Sequence, residues 1–166
     1  MPIGLEYKHE GIIDLLRRRA YFFEGDKGNV LREEEVSAEY QAELEKWRHH
    51  LVEKIVEKDE ALLQRYLNGE EIAVVDLKRA LRQAVISNSL VPVLGGSALK
   101  NKGVQLLLDA VVDYLPSPLD LPPTRGVDPK TGQELVREAR DEAPFTALIF
   151  KIQTDPFVGQ LAFFRV

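Results

Sequence analysis

The chain is 166 residues long with a net charge of −5, and it is 45% hydrophobic and 30% charged; that balance builds a core and excludes a disordered or fibrous chain. It has no cysteine, which excludes disulfides and thiolate metal sites. No run approaches the roughly 18 apolar residues of a membrane span, and no amino-terminal stretch reads as a signal peptide, so the expected compartment is the cytosol.

Pro2-Ile3-Gly4 opens the chain with no preceding strand to complete a sheet, and Gly11–Asp14 is short and apolar. Leu15–Phe23 predicts a strand although neither of its alternating faces is cleanly apolar. It ends in aromatics, Gly25-Asp26-Lys27-Gly28-Asn29 follows as a hairpin turn, and Asn29–Val36 returns. Arg17, Arg18 and Arg19 are expected to pair with Glu33–Glu35 across that hairpin. The turn lacks the Gly-x-x-x-x-Gly-Lys-Ser/Thr spacing by which successive amides cradle a phosphate, so it reads as a plain turn.

From Glu33 to Asp76 there are 13 acidic and 5 basic residues, a net −8. Such a stretch repels phosphate backbones and points to a solvated helix surface or a protein partner rather than to nucleic acid. Ser37 is a predicted helix cap. Tyr40, Leu44, Trp47, Leu51 and Ile55 then form one apolar stripe, with Glu39, Glu43, Glu45, Glu53 and Glu57 mostly off it. Asp59 is expected to cap a second helix carrying Leu62, Leu63, Tyr66 and Leu67, closed by Asn68-Gly69. Asp76–Ser87 is a third helix, with Leu77, Leu81, Ala84 and Val85 inward. His49 and His50 are adjacent, about 100° apart on a helix, and so read as a surface pair rather than shared metal ligands.

Val91–Leu94 is apolar and β-branched, as a buried strand is. It breaks into Gly95-Gly96-Ser97-Ala98-Leu99-Lys100 and then a helix over 104–115, with Asn101 as the expected cap. The expected buried face of that helix is Val104, Leu107, Leu108, Val111, Val112 and Leu115, with Gln105, Asp109 and Asp113 outward; Pro116 and Pro118 stop it. Strand, tight turn, helix is the unit that builds ligand sites at the carboxyl ends of strands in open α/β sheets. Leu119–Asp141, rich in proline and charge, reads as a linker or irregular excursion. Phe145–Gln153 alternates, Asp155-Pro156 turns to Gly159, and Gln160–Val166 is a second strand. Two strands alone leave edges unpaired, so the sequence reads as cut inside a β domain.

Ser97-Ala98-Leu99-Lys100 in this setting resembles the last guanine-recognition motif of translational GTPases. With Asn101-Lys102-Gly103-Val104-Gln105, Leu107–Pro118, Pro2-Ile3-Gly4, Gly11-Ile12-Ile13-Asp14, Tyr66–Glu71 and Phe150–Gly159, essentially the whole chain resembles the elongation factor G family. A Ser-Ala dipeptide alone carries nothing; the order and spacing of these blocks is specific. The resemblance implies a mixed α+β and α/β fragment in four parts. Residues 1–89 would be an α+β subdomain inserted into the GTP-binding domain, a hairpin plus about three helices. Residues 90–118 would be the last strand and helix of the P-loop GTPase fold, 119–144 a linker, and 145–166 the first strands of a β-barrel domain.

The implied activity is GTP-dependent translocation of transfer and messenger RNA on the ribosome. The implied roles are a backbone N–H of Ala98 donating to the guanine carbonyl, Ser97 holding the loop, and Leu99 and Lys100 flanking the base. An adenine amino group would leave that donor unpaired, at a cost of about 1–3 kcal/mol. The phosphate loop, the Asp-x-x-Gly motif, the Asn-Lys-x-Asp motif and the magnesium site of the parent are expected upstream of Met1. Asn101-Lys102-Gly103-Val104 is no substitute, since valine accepts no hydrogen bond from guanine. The segment is therefore expected to bind GTP or GDP weakly and to hydrolyse nothing alone. The ribosomal stalk protein is the implied partner, with Glu39, Glu43 and Glu53 as the candidate contact. A ribosomal-protection or release-factor GTPase, or an interaction module without nucleotide, are the alternatives.

Overall fold

The computed structural model describes residues 1–166, apart from the side chain of Asp26. It is a mixed α+β structure in two units, Met1–Leu115 and Pro116–Val166.

The first unit opens with a four-stranded antiparallel sheet in sequential order: β1 (Pro2–Ile3), β2 (Gly11–Asp14), β3 (Arg19–Glu24) and β4 (Val30–Glu35). Pro2–Ile3 is the edge strand of this sheet, paired to β2. Leu15–Phe23 is not one strand either. The Asp14 carboxylate accepts from the amides of Leu16 and Arg17 at 2.8 and 3.1 Å, and Arg18 turns left-handed at φ +56°. The chain therefore reverses at 15–18, and only Arg19 onward is extended. Arg19 pairs with Glu33 at 2.8 Å as expected across the hairpin, whereas Arg18 faces Glu45 and Glu71 and Arg17 faces Asp14.

Both faces of β2–β3 are covered; the expected strand lacked a clean face because Arg17 and Arg18 belong to the turn. Ile13 and Ala20, cross-strand neighbours, share a cluster with Leu44 of helix α1 (Ala38–Val56). Ile12 and Tyr21, the next pair, join Phe23 and Leu106 of helix α4 (Val104–Tyr114) on the other face. A third cluster, around Ile55, Leu62, Leu77 and Tyr114, binds α1 to α2 (Glu60–Leu67), α3 (Val74–Ile86) and α4.

Helix α3 buries Leu77, Leu81 and Ala84 and α2 buries Leu62, as expected, while the caps and the α1 face differ in part. The Asp59 carboxylate accepts from the Leu62 amide at 3.1 Å and caps α2. Ser37 occupies the cap position of α1, but its hydroxyl bonds Glu39 instead of the helix backbone. The buried stripe of α1 is Leu44, Arg48, Val52, Ile55 and Val56; Trp47 is 43% exposed. Leu67 is likewise out. Helix α3 starts two residues earlier than expected, with Ala73 at its cap position.

Two expectations around residues 91–115 are overturned. Val91–Leu94 pairs with no strand among the described residues, and Val93 is 93% exposed. β-Branched content makes a strand only where a neighbour offers a ladder. Helix α4 buries Leu106, Ala110 and Tyr114 toward the clusters, while Leu107, Leu108, Val111, Val112 and Leu115 lie exposed. Residues 106–115 are apolar nearly all round, so periodicity could not choose the face. Two polar ties choose it: Lys78 pairs with Asp113, and Arg82 donates to the carbonyls of Asp113 and Leu115 at 3.0 and 3.1 Å.

The second unit holds two hairpins. Thr124–Val127 (β5) pairs with Glu134–Arg137 (β6), so the proline-rich stretch is not structureless. Asp128 accepts from the amides of Lys130 and Thr131, bonds that hold its carboxyl below the usual range. Leu148–Asp155 (β7) pairs with Gly159–Arg165 (β8) through a turn in which Asp155 accepts from Phe157 and Val158. Phe150, Ile152, Phe157 and Phe164 are exposed on this hairpin.

Candidate functional site

The stretch from Gly95 to Gly103 forms a tight corner. Ser97 and Lys102 exchange backbone bonds, Ser97 N–H to Lys102 C=O at 2.8 Å and Lys102 N–H to Ser97 C=O at 3.0 Å. Inside that bridge the Asn101 amide donates to the Ala98 carbonyl at 3.2 Å, and Asn101 sits left-handed at φ +51°. The Ala98 amide itself donates to no group among the described residues. Ala98, Leu99 and Lys100 are exposed, Leu99 at 96%, and Ser97 is half-buried in the bridge. The corner thus presents an unengaged backbone donor beside small side chains.

Glycine permits the close packing beneath it. A Cβ on Gly96 would lie 2.7 Å from the Lys102 carbonyl oxygen, and one on Gly103 would lie 2.5 Å from Cδ1 of Ile12. Gly103, at φ +85°, is also the cap position of α4, which displaces the expected cap Asn101. Asn101 is used otherwise: its Nδ2 donates to the Lys27 carbonyl at 2.9 Å. Gln105, expected to face out, donates from Nε2 to the Gly28 carbonyl at 2.9 Å. Lys102 Nζ donates to the His9 carbonyl at 2.7 Å. The corner is therefore fastened to the β3–β4 hairpin tip and to the segment before β2. Sequence reasoning missed these three side chains. The only signal was a glycine at 28 in a turn with no phosphate-loop spacing.

Glu39, Glu43 and Glu53 form a second, separate feature. At about 100° per residue they fall within an arc of about 80° on α1, opposite the buried stripe. Glu39 bonds the Ser37 hydroxyl, Glu43 accepts from Trp47 Nε1 at 3.3 Å, and Glu53 meets His49 at 3.2 Å. His49 also bonds the Tyr66 hydroxyl at 2.8 Å, while His50 meets the Trp47 ring edge-on. The two histidines thus serve different neighbours. No group of three or more metal-ligating side chains occurs among the described residues.

Arg48 is the third site-like residue. It is 7% exposed, and one terminal nitrogen donates to the carbonyls of Leu15 and Leu16 at 2.7 and 2.6 Å. Burial, then the neighbouring charge of Arg18, lowers its pKa. It lines a cleft of about 360 Å³ with Arg18, His49, Tyr66 and Glu71, none of them part of the corner. Its bonds account for it as a plug for the open carbonyls of the 15–18 turn.

A crystal structure of a protein from Thermus thermophilus matches 99% of the chain at 33% identity with a TM-score of 0.73. The chain spans 22% of that protein's length. No family model matches the chain. The likeness gives the chain a solved counterpart over 99% of its length. No helix among the described residues is long and apolar enough to cross a membrane.

Proposed function

We propose that this chain is a segment of a translational GTPase of the elongation factor G type. It carries the last guanine-recognition loop at Ser97–Lys100 and a protein-docking face on α1. The observation that carries this reading is the Ala98 amide, exposed at the end of a bridged corner with no acceptor among the described residues. A backbone donor left open by a rigid turn suits an in-plane carbonyl such as that of guanine. The alanine side chain is small enough to let a flat ring approach. Leu99 and Lys100, both exposed, would then flank the base.

Two further observations support a GTP-binding fold around the corner. The exposed Leu107, Leu108, Val111, Val112 and Leu115, with Val91 and Val93, form the apolar surface that a sheet and its helices would cover. The β7–β8 hairpin leaves aromatic side chains exposed, as the opening of a larger β-barrel would. In this reading, residues 1–89 are the inserted subdomain, 90–118 close the GTP-binding fold, and 145–166 begin the barrel. Magnesium and the hydrolytic residues belong to the remainder of the protein, so this segment supplies base recognition and no chemical step. The parent would work in the cytoplasm on the ribosome, with its stalk protein against α1.

The test is a GDP titration of the full-length protein with Ser97→Trp and Ala98→Trp. Bulk at either position is expected to weaken GDP binding at least tenfold, roughly the loss of one good hydrogen bond with its stacking space. Unchanged affinity in both variants would remove the nucleotide assignment.

A further inference from the structure

We propose that Asn101, Lys102 and Gln105 are positioning residues: they fasten the corner to the β3–β4 hairpin tip and to His9, and that fastening sets how long a guanine stays on the Ala98 amide. The inference rests on the guanine reading above and adds a determinant of nucleotide release that lies outside the base-contacting residues.

All three side chains donate to backbone carbonyls far away in sequence, those of Lys27, His9 and Gly28, across 74, 93 and 77 residues respectively. The corner therefore reads the shape of the tip rather than its side chains. The tip is shaped for it: Lys27 and Gly28 are both left-handed, at φ +65° and +62°. A Cβ on Gly28 would lie 2.9 Å from the Asn101 carbonyl oxygen and 3.0 Å from that of Lys100. Backbone meets backbone here with no room for a side chain.

The seam is held by three side-chain hydrogen bonds to carbonyls rather than by an apolar cluster, so losing any one of them loosens the joint. Once it parts, the corner keeps only its own Ser97–Lys102 bridge. A hydrogen bond to a purine is directional, so a donor that wanders releases its acceptor sooner. The outer strand of the same hairpin, β4, leads directly into α1 and its acidic face, and a load on that face has a covalent route to the tip.

The variants are Asn101→Gly, which removes the amide but keeps a left-handed backbone unstrained, Gln105→Ala, and Gly28→Ala, which leaves the corner's sequence intact. Hydrogen exchange of the Ser97 and Lys102 amides, measured in this chain, reads the fastening without nucleotide. GDP dissociation from the full-length protein reads its consequence, and exchange of α1 amides controls for general unfolding. The expected result is roughly tenfold faster exchange at Ser97 and Lys102, unchanged α1 exchange, and GDP release accelerated about fivefold or more. Unchanged corner exchange overturns the fastening whatever the nucleotide does. Faster exchange with unchanged GDP release overturns the positioning role and leaves the guanine reading standing. Failure of the unaltered full-length protein to bind GDP overturns the guanine reading and this inference with it.

Discussion

Arg48 illustrates how one side chain can hold a turn. Its guanidinium sits in the apolar stripe of α1 and bonds two carbonyls that the β2–β3 reversal leaves open. Arg48→Met keeps the packing stem and orphans both carbonyls, so a loss of about 1–3 kcal/mol in a denaturant titration is expected. Tyr114 gives a pH signature. Burial, reinforced by the neighbouring Asp113 charge, pushes its phenol from 10.0 up to about 12. A raised folded pKa means that the neutral phenol's stability is fully present below pH 10 and is lost as pH climbs toward 12. The loss is on the order of 2 kcal/mol. Tyr114→Phe is therefore expected to flatten the stability curve across that window; an identical decline in both proteins would contradict the burial argument.

At the scale of elements, the ones with their own caps and turns were legible in the sequence. Asp59 capping α2, Gly69 closing it at φ +79°, and the Asp155–Gly159 turn follow from single residues whose chemistry is local. Asp59→Ala should cost about 1 kcal/mol by thermal or denaturant unfolding. Elements defined by a distant partner were not legible. Arg18's left-handed turn took the first four residues, 15–18, out of the expected strand, because Asp14 captured the following amides. Val91–Leu94 has strand composition but no ladder among the described residues, and α4 offers apolar residues on every side, so its orientation was set by Lys78 and Arg82 on α3. The corner's residue types were readable at Ser97 and Ala98. Its fastening was not, since Asn101, Lys102 and Gln105 reach carbonyls more than 70 residues away.

At the scale of the whole molecule, the first unit brings an acidic helix face and an amide-presenting corner onto one folded body. The acidic face is the proposed contact for the ribosomal stalk protein. Reversing Glu39, Glu43 and Glu53 to lysine should weaken stalk-protein binding at least tenfold, more strongly at low than at high salt, because exposed charges act within a Debye length of about 8–10 Å. Unchanged binding would remove that partner. The core is expected to be unaffected, since all three carboxylates lie opposite the buried stripe. In the proposed function the Ala98 amide is the donor that reads guanine. Its most direct measurement is the amide resonance of Ala98 in the isotope-labelled full-length protein, followed as GDP and then ADP are added. A downfield shift of Ala98 with GDP and none with ADP is the predicted result; GDP bound with the Ala98 amide unmoved would contradict it.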